Sequence, residues 1–226
     1  MELSVDTASE IASIALSREG RVEAERTWRC ERNHTVELLP AIDRLLSEAG
    51  VDRGELSAVF VSLGPGMYTG LRVGVSVAQG IARGLGIPAL GVGRLELDAY
   101  PHAGYRGPIV AVHRAGRGEL AWAVYEGRGK KQGAGSQEWR EVSAPRLSKA
   151  EELIQEIAEG ALVTGEVDDA LAAMLAGRAT VGEAREGRAR ALAALGYARL
   201  RARETAEPAL LRPVYLRPPA IGPQGG

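Results

Sequence analysis

Cysteine is almost absent: the 226 residues contain one, Cys30. A single thiol permits no internal disulfide and no cysteine cluster for zinc, so the fold is held by its core alone. Histidine is nearly as scarce. His34, His102 and His113 stand far apart, with no His-x-x-x-His or His-Glu-x-x-His pair, which argues against a metalloprotease. Excess charge is missing too. With 28 basic and 29 acidic side chains, nothing global draws the chain to nucleic acid or an anionic membrane, and any RNA link must come through partners or a local patch. Long apolar runs are lacking: the longest uncharged stretch, Leu56 to Leu71, is broken by Gly64-Pro65-Gly66 and falls short of a membrane span. The first ten residues carry Glu2, Asp6 and Glu10 and no basic start before an apolar run. No signal peptide and a cytoplasmic location are therefore expected. Asn33 is the only asparagine and lysine is rare beside arginine, a bias of a thermophile or a GC-rich genome more than of a function.

What the chain does have is glycine in an unusual place. After Gly64-Pro65-Gly66, which makes a tight turn cheaply, Leu71, Val75, Ala78, Ile81, Ala82 and Leu85 recur at helical spacing, and the helix ends before Gly86 and Pro88. Thr69 is its expected cap. Gly70, Gly74, Gly80 and Gly84 would each cost about 1 kcal/mol relative to alanine inside a helix. Gly70, Gly74, Ala78 and Ala82, spaced by four, form one bare stripe that lets another helix approach closely. We read these four as a surface for a homologous lobe, either a second copy or a paralogue.

Around this stretch the periodicity predicts strands over 2–6, 11–16 and 22–28, then a helix over 35–49 that Pro40, an awkward guest, either makes start later than Thr35 or kinks, and strands over 56–63 and 89–92. Pro101 to Pro108 loosens the pattern and places a boundary, giving an N-terminal lobe of residues 1–103 and a C-terminal lobe of residues 104–226. The second half repeats the design. A hairpin over 109–113 and 120–125 precedes a polar glycine-lysine loop over 127–137, a helix over 147–158 capped by Ser148 with Glu151 three residues on, a strand over 161–165, helices over 167–176 and 184–205, and a proline-rich tail. Both halves open on an antiparallel hairpin and continue into alternating helix and strand, which predicts an α/β protein of two related lobes.

Chemistry is thin. Asp6 ends the first strand before a tight turn, a position that resembles the one where the actin, sugar-kinase and heat-shock-chaperone superfamily places a carboxylate for a phosphate-bound metal, with glycine two residues on where this chain has Ala8; a carboxylate bonding its own turn is the simpler reading. Gly64-Pro65-Gly66 lacks the Gly-x-x-x-x-Gly-Lys-Ser/Thr pattern and reads as a structural turn. His34, opening the first helix, reads as a capping or packing residue. Ser62, Tyr68 and Thr69 have no evident histidine-aspartate relay. Arg94, Arg106, Arg114, Arg117 and Arg128, with Glu96, Glu119 and Glu126 among them, read as a solvated face.

Gly64-Pro65-Gly66-Met67-Tyr68-Thr69-Gly70-Leu71-Arg72-Val73-Gly74, with Val5-Asp6-Thr7-Ala8, His34 before Leu38-Leu39-Pro40, and Pro213-Val214-Tyr215-Leu216-Arg217, resembles the TsaB (YeaZ) family. One departure is His113-Arg114-Ala115, where the family commonly has Asp-Ala-Arg. The resemblance implies a two-lobed fold of the actin, sugar-kinase and heat-shock-chaperone type. It further implies a non-catalytic scaffold in the making of threonylcarbamoyladenosine beside the tRNA anticodon. The implied partners are the catalytic, metal-bearing paralogue TsaD and the ATPase TsaE, with a homodimer when the chain is alone and tRNA met only indirectly. No cofactor is expected on the chain by itself, and ATP or ADP only in the complex. The rival readings are an ATPase or kinase of the same fold and, behind it, a glycopeptidase-like hydrolase.

Overall fold

A computed structural model describes residues 1–30, 33–128, 138–184, 187–204 and 207–216. Two five-stranded sheets form. In the first, β1 (Glu2–Asp6), β2 (Ile11–Arg18) and β3 (Arg21–Arg29) make the expected antiparallel meander, while β4 (Ala58–Ser62) and β5 (Ala89–Val92) add in parallel beyond β1. In the second, β6 (Ile109–Gly116), β7 (Glu119–Arg128) and β8 (Glu138–Lys149) form the meander, and β9 (Leu162–Gly165) and β10 (Thr180–Val181) add in parallel beyond β6. The orders β3-β2-β1-β4-β5 and β8-β7-β6-β9-β10 coincide, so the two lobes share one topology.

All five residues of β1 and of β4 are buried, because both faces of the sheet are covered; this is why their apolar runs do not alternate cleanly with polar residues. Leu3, Val5, Ile14 and Leu16 pack on α1 (His34–Glu48), and Val59 and Val61 on α2 (Tyr68–Leu85). On the opposite face lie α3 (Arg94–Ala99) and a closing helix at 189–201, meeting Phe60, Leu90 and Val92. The second sheet covers the far side of α3 through Ile109, Ala111 and Ala123 and carries α4 (Ala150–Glu156) and α5 (Asp169–Leu175) outside. The layers therefore alternate helix, sheet, helix, sheet, helix, with α3 shared by both lobes.

Thr69 does not cap α2, which starts at Tyr68 after Met67 and has no side-chain cap, and four further expectations need correction. The 104–226 lobe does not keep its end: α6 (Ala189–Arg201) packs on the first sheet, close enough that a Cβ at Gly196 would enter the Phe60 ring. The chain then runs along α2, where Gln79 Nε2 donates to the carbonyls of Pro208 at 3.0 Å and Leu211 at 3.2 Å and Val214 N–H donates to Leu63 O at 2.7 Å. The second sheet had no face left for this helix. Residues 147–149 belong to β8, paired with β7, so Ser148 caps nothing and instead accepts from Trp122 Nε1 at 2.9 Å. The helix expected from Thr35 starts one residue earlier, at His34, and continues through Pro40, whose lost donor frees the carbonyl of exposed Val36. The loop over 127–137 and the tail beyond 216 lie largely outside the described residues.

The fourth correction concerns the glycine stripe. Gly70, Gly74, Ala78 and Ala82 are all buried and face their own lobe, not a partner. An added Cβ would collide at Gly70 with Thr7 O and at Gly74 with Thr7 Oγ1, which itself donates to Gly70 O at 2.7 Å. The bare stripe thus brings α2 against the β1–β2 turn. Gly80 and Gly84, by contrast, have open space around the missing Cβ. Gly74→Ala is expected to destabilise the chain by about 2 kcal/mol and Gly80→Ala to stabilise it by about 0.5–1 kcal/mol. Urea unfolding of the two variants checks this, and shifts of the same sign would contradict it.

Candidate functional site in the cleft between the lobes

The carboxyl ends of the parallel strands of both sheets open on one cleft, the usual ligand position in α/β folds, with a volume of about 1450 Å³. Asp6 lies just behind the wall of this cleft, fully buried, because β1 alternates: Leu3 and Val5 face α1, leaving Asp6 on the other side. Its Oδ1 accepts from Ala8 N–H at 3.1 Å, the self-turn expected from sequence. The turn around Ala8 is packed shut. Ala8 O accepts from Met67 N–H at 2.9 Å, and a Cβ at Gly66 would overlap that oxygen, so the 64–67 turn interlocks with the 7–9 turn. Gly64-Pro65-Gly66 is thus a structural turn, with a cis Gly64–Pro65 bond.

Asp6 Oδ2 faces the Arg188 guanidinium at 3.5 Å. From there a buried chain of charges crosses the cleft. Arg188 Nε donates to Asp98 Oδ1 at 2.6 Å, Arg94 Nε lies 3.6 Å from Asp98 Oδ2, and Arg94 Nη2 donates to Glu166 Oε1 at 2.5 Å. His113 Nδ1 lies 3.0 Å from Glu166 Oε2, which also accepts from Arg114 N–H at 2.9 Å. The first lobe supplies Asp6, Arg94 and Asp98, and the second supplies His113 and Glu166. Arg188, just before α6, joins the carboxylates of the first. Burial pushes the Glu166 carboxyl up, but the hydrogen bond from His113, the charge of Arg94 and the Arg114 amide outweigh it and hold it well below the usual range. Burial likewise weakens the Arg188 charge, and Asp98 and Asp6 restore it and raise the pKa above the ordinary value.

Several sequence readings change here. Arg94 is no part of a solvated basic face; it is 1 % exposed and lies in the network. Arg114 does stay at the surface, paired with Asp168. The His113-Arg114-Ala115 departure puts an imidazole into the cleft. Asp98, Glu166 and Arg188 escaped notice because no motif links them. The one signal available was a charge directly after glycine at Gly165-Glu166 and Gly187-Arg188, both glycines having positive φ. His34 is the expected packing residue, its Nε2 donating to Ser9 O at 3.0 Å. Among the described residues no group of three or more His, Cys, Asp or Glu side chains is disposed to hold a metal, and no helix is long and apolar enough to cross a membrane.

Because the folded-state pKa of Glu166 is depressed, its contribution to stability is fully present above about pH 5 and is lost as the pH falls through the folded-state value. Glu166→Gln is therefore expected to be less stable than the parent at pH 7 and to approach it in acid. Thermal melts from pH 7 down to about pH 3 measure this; a gap that stays constant would contradict it.

A family model described as TsaD, tRNA N6-adenosine threonylcarbamoyltransferase, matches residues 28–165. The chain is 36% identical over 126 residues to the tRNA threonylcarbamoyladenosine biosynthesis protein TsaB of Escherichia coli strain K12, covering 55% of this chain and 54% of that protein. To TsaB of Bacillus subtilis strain 168 it is 36% identical over 124 residues, covering 55% and 54%. The match thus spans about half the length of these curated relatives. The solved structure "YeaZ from Pseudomonas aeruginosa" superposes with a TM-score of 0.76 at 28% identity, over 95% of this chain and 99% of that one. That superposition carries the two-lobed actin, sugar-kinase and heat-shock-chaperone fold over to both lobes among the described residues. With the transferase model matching more than half of its residues and TsaB proteins among its relatives, the chain belongs to the TsaD family, within its TsaB (YeaZ) branch.

Proposed function

We propose that this chain is a non-catalytic subunit of the assembly that transfers a threonylcarbamoyl group to the adenosine beside the tRNA anticodon, and that it acts by pairing with the catalytic paralogue TsaD. The observation that carries this reading is the engagement of Asp6, a fully buried carboxylate whose Oδ1 accepts from the Ala8 amide and whose Oδ2 faces the Arg188 guanidinium at 3.5 Å. A carboxylate so held is not offered to a substrate. In this reading the chain holds no cofactor alone, nucleotide enters only with the assembly, TsaE completes that assembly, tRNA is met indirectly, and the isolated chain pairs with itself in the cytoplasm.

The docking surface follows from the corrected stripe. Since Gly70, Gly74, Ala78 and Ala82 face inward, α2 presents Thr69, Arg72, Ser76, Gly80 and Arg83 to solvent, a mostly small-residue face bare at Gly80. Beside it, α1 exposes Val36 and Leu39 at 69 % and 50 %, large values for apolar side chains. Tyr68, at the start of α2, stacks on Tyr215 with centroids 5.2 Å apart and lies under Arg72. A helix pair from a homologous lobe fits such a face, small residues admitting close backbones while Val36 and Leu39 supply apolar area.

Leu39→Glu and Gly80→Arg are expected to fold with near-native melting temperature and to lose at least tenfold in affinity for the paralogue, as read by isothermal titration calorimetry and assembly mass. Native affinity in both folded variants would remove the surface from consideration. Reconstituted transfer from ready-made threonylcarbamoyl-adenylate that runs at full rate without the chain would falsify the role itself.

A further inference from the structure

We propose that Arg188 is the resident cation of the cleft, occupying from within a divalent-cation site formed by Asp6 and Asp98. Three observations place it there. The Arg188 guanidinium lies between the two carboxylates, at 2.6 Å from Asp98 Oδ1 and 3.5 Å from Asp6 Oδ2, with its side chain 11 % exposed. Both carboxylates are themselves deeply buried, at 0 % and 6 % side-chain exposure. Each keeps one oxygen, Asp6 Oδ2 and Asp98 Oδ2, that takes no hydrogen bond.

Two buried carboxylates side by side call for positive charge close by. Arg94 serves only part of that need, because its Nη2 is bound to Glu166 and its Nε stands 3.6 Å from Asp98 Oδ2. Arg188 supplies the rest. Magnesium and manganese bind through one or two carboxylates and keep several waters, so Asp98, which lines the cleft, and Asp6, buried behind Arg188, satisfy a hard divalent cation. A guanidinium carries one charge and five fixed donors, whereas the cation carries two charges and would bring exchangeable waters. With the arginine in place the site is closed to the ion. This assignment shares the Asp6–Arg188 contact with the function proposed above, and its test reads ion binding to the isolated chain, which the transfer role does not move.

The test is Arg188→Met, which keeps the length of the side chain and removes its charge, with Mn²⁺ as the probe on the full chain. The parent is expected to bind no Mn²⁺ in calorimetry or in the electron paramagnetic resonance of free ion. R188M is expected to bind one, and to rise in melting temperature by about 5 °C or more at a hundredfold excess over Kd. Adding Asp6→Asn and Asp98→Asn to R188M abolishes that binding, and Arg188→Lys, which keeps the charge, excludes Mn²⁺ like the parent. If R188M does not fold in chelator, recovery of the native fold on refolding in Mn²⁺ is the supporting result. The proposal is overturned by a folded R188M that takes up no Mn²⁺, by an unfolded one that Mn²⁺ does not rescue, by equal uptake in the parent, or by uptake that survives loss of both carboxylates.

Discussion

A buried charge must have a partner, and in this molecule that requirement ties the closing helix to the first strand and the first lobe to the second. Arg188 reaches Asp6 and Asp98, Arg94 continues from Asp98 to Glu166, and Glu166 closes on His113 and the Arg114 amide. Removing one member leaves an uncompensated charge in a water-poor space, which is far more costly than never having built the pair. The network therefore fixes how the lobes meet. Apolar packing supports it from behind, where α3 lies between the sheets with Leu97 facing Phe60 and with Leu95 and Ala99 facing Ile109 and Ala111.

The same logic explains how one topology, used twice, yields unequal lobes. Each sheet needs both faces covered. The first is covered by α1 and α2 on one side and by α3 and α6 on the other, the second by α3 on one side and by α4 and α5 on the other. Sharing α3 leaves α6 free to return across the chain, and its return carries Arg188 into the cleft. The closing segment follows onto α2, where Leu211 is buried with Val59 and Val61 and Tyr215 stacks on Tyr68.

The glycine-rich helix shows where periodicity misleads. Spacing by four correctly marked Gly70, Gly74, Ala78 and Ala82 as a face that something approaches closely; at Gly70 and Gly74 the approaching group is Thr7, on the turn after β1, and at Ala78 and Ala82 it is β4 with Leu211. Nothing local distinguishes a close approach by one's own turn from one by another chain, because both demand the same missing side chains. On α1 the reverse holds: Val36 and Leu39 stand exposed although apolar, while Leu38 and Ile42 are buried.

Strand alternation, helical spacing and turn residues were enough to lay out β1 to β5, α1, α2 and the hairpin of the second lobe, since each is decided within a window of a few residues. The Gly-Pro-Gly turn, the packing role of His34 and the self-turn of Asp6 were legible for the same reason. Ser148 was not: pairing with β7 overrode a good local capping pattern, because a strand edge left unpaired beside Trp122 costs more than a cap returns. Nor were Asp98, Glu166 and Arg188, which stand 68 residues and then 22 residues apart and acquire a role only where two sheets close on each other. Local patterns determine elements, whose energies are set by neighbours in sequence. The cleft was decided by the tertiary structure alone, because the field at a buried charge is set by its neighbours in space.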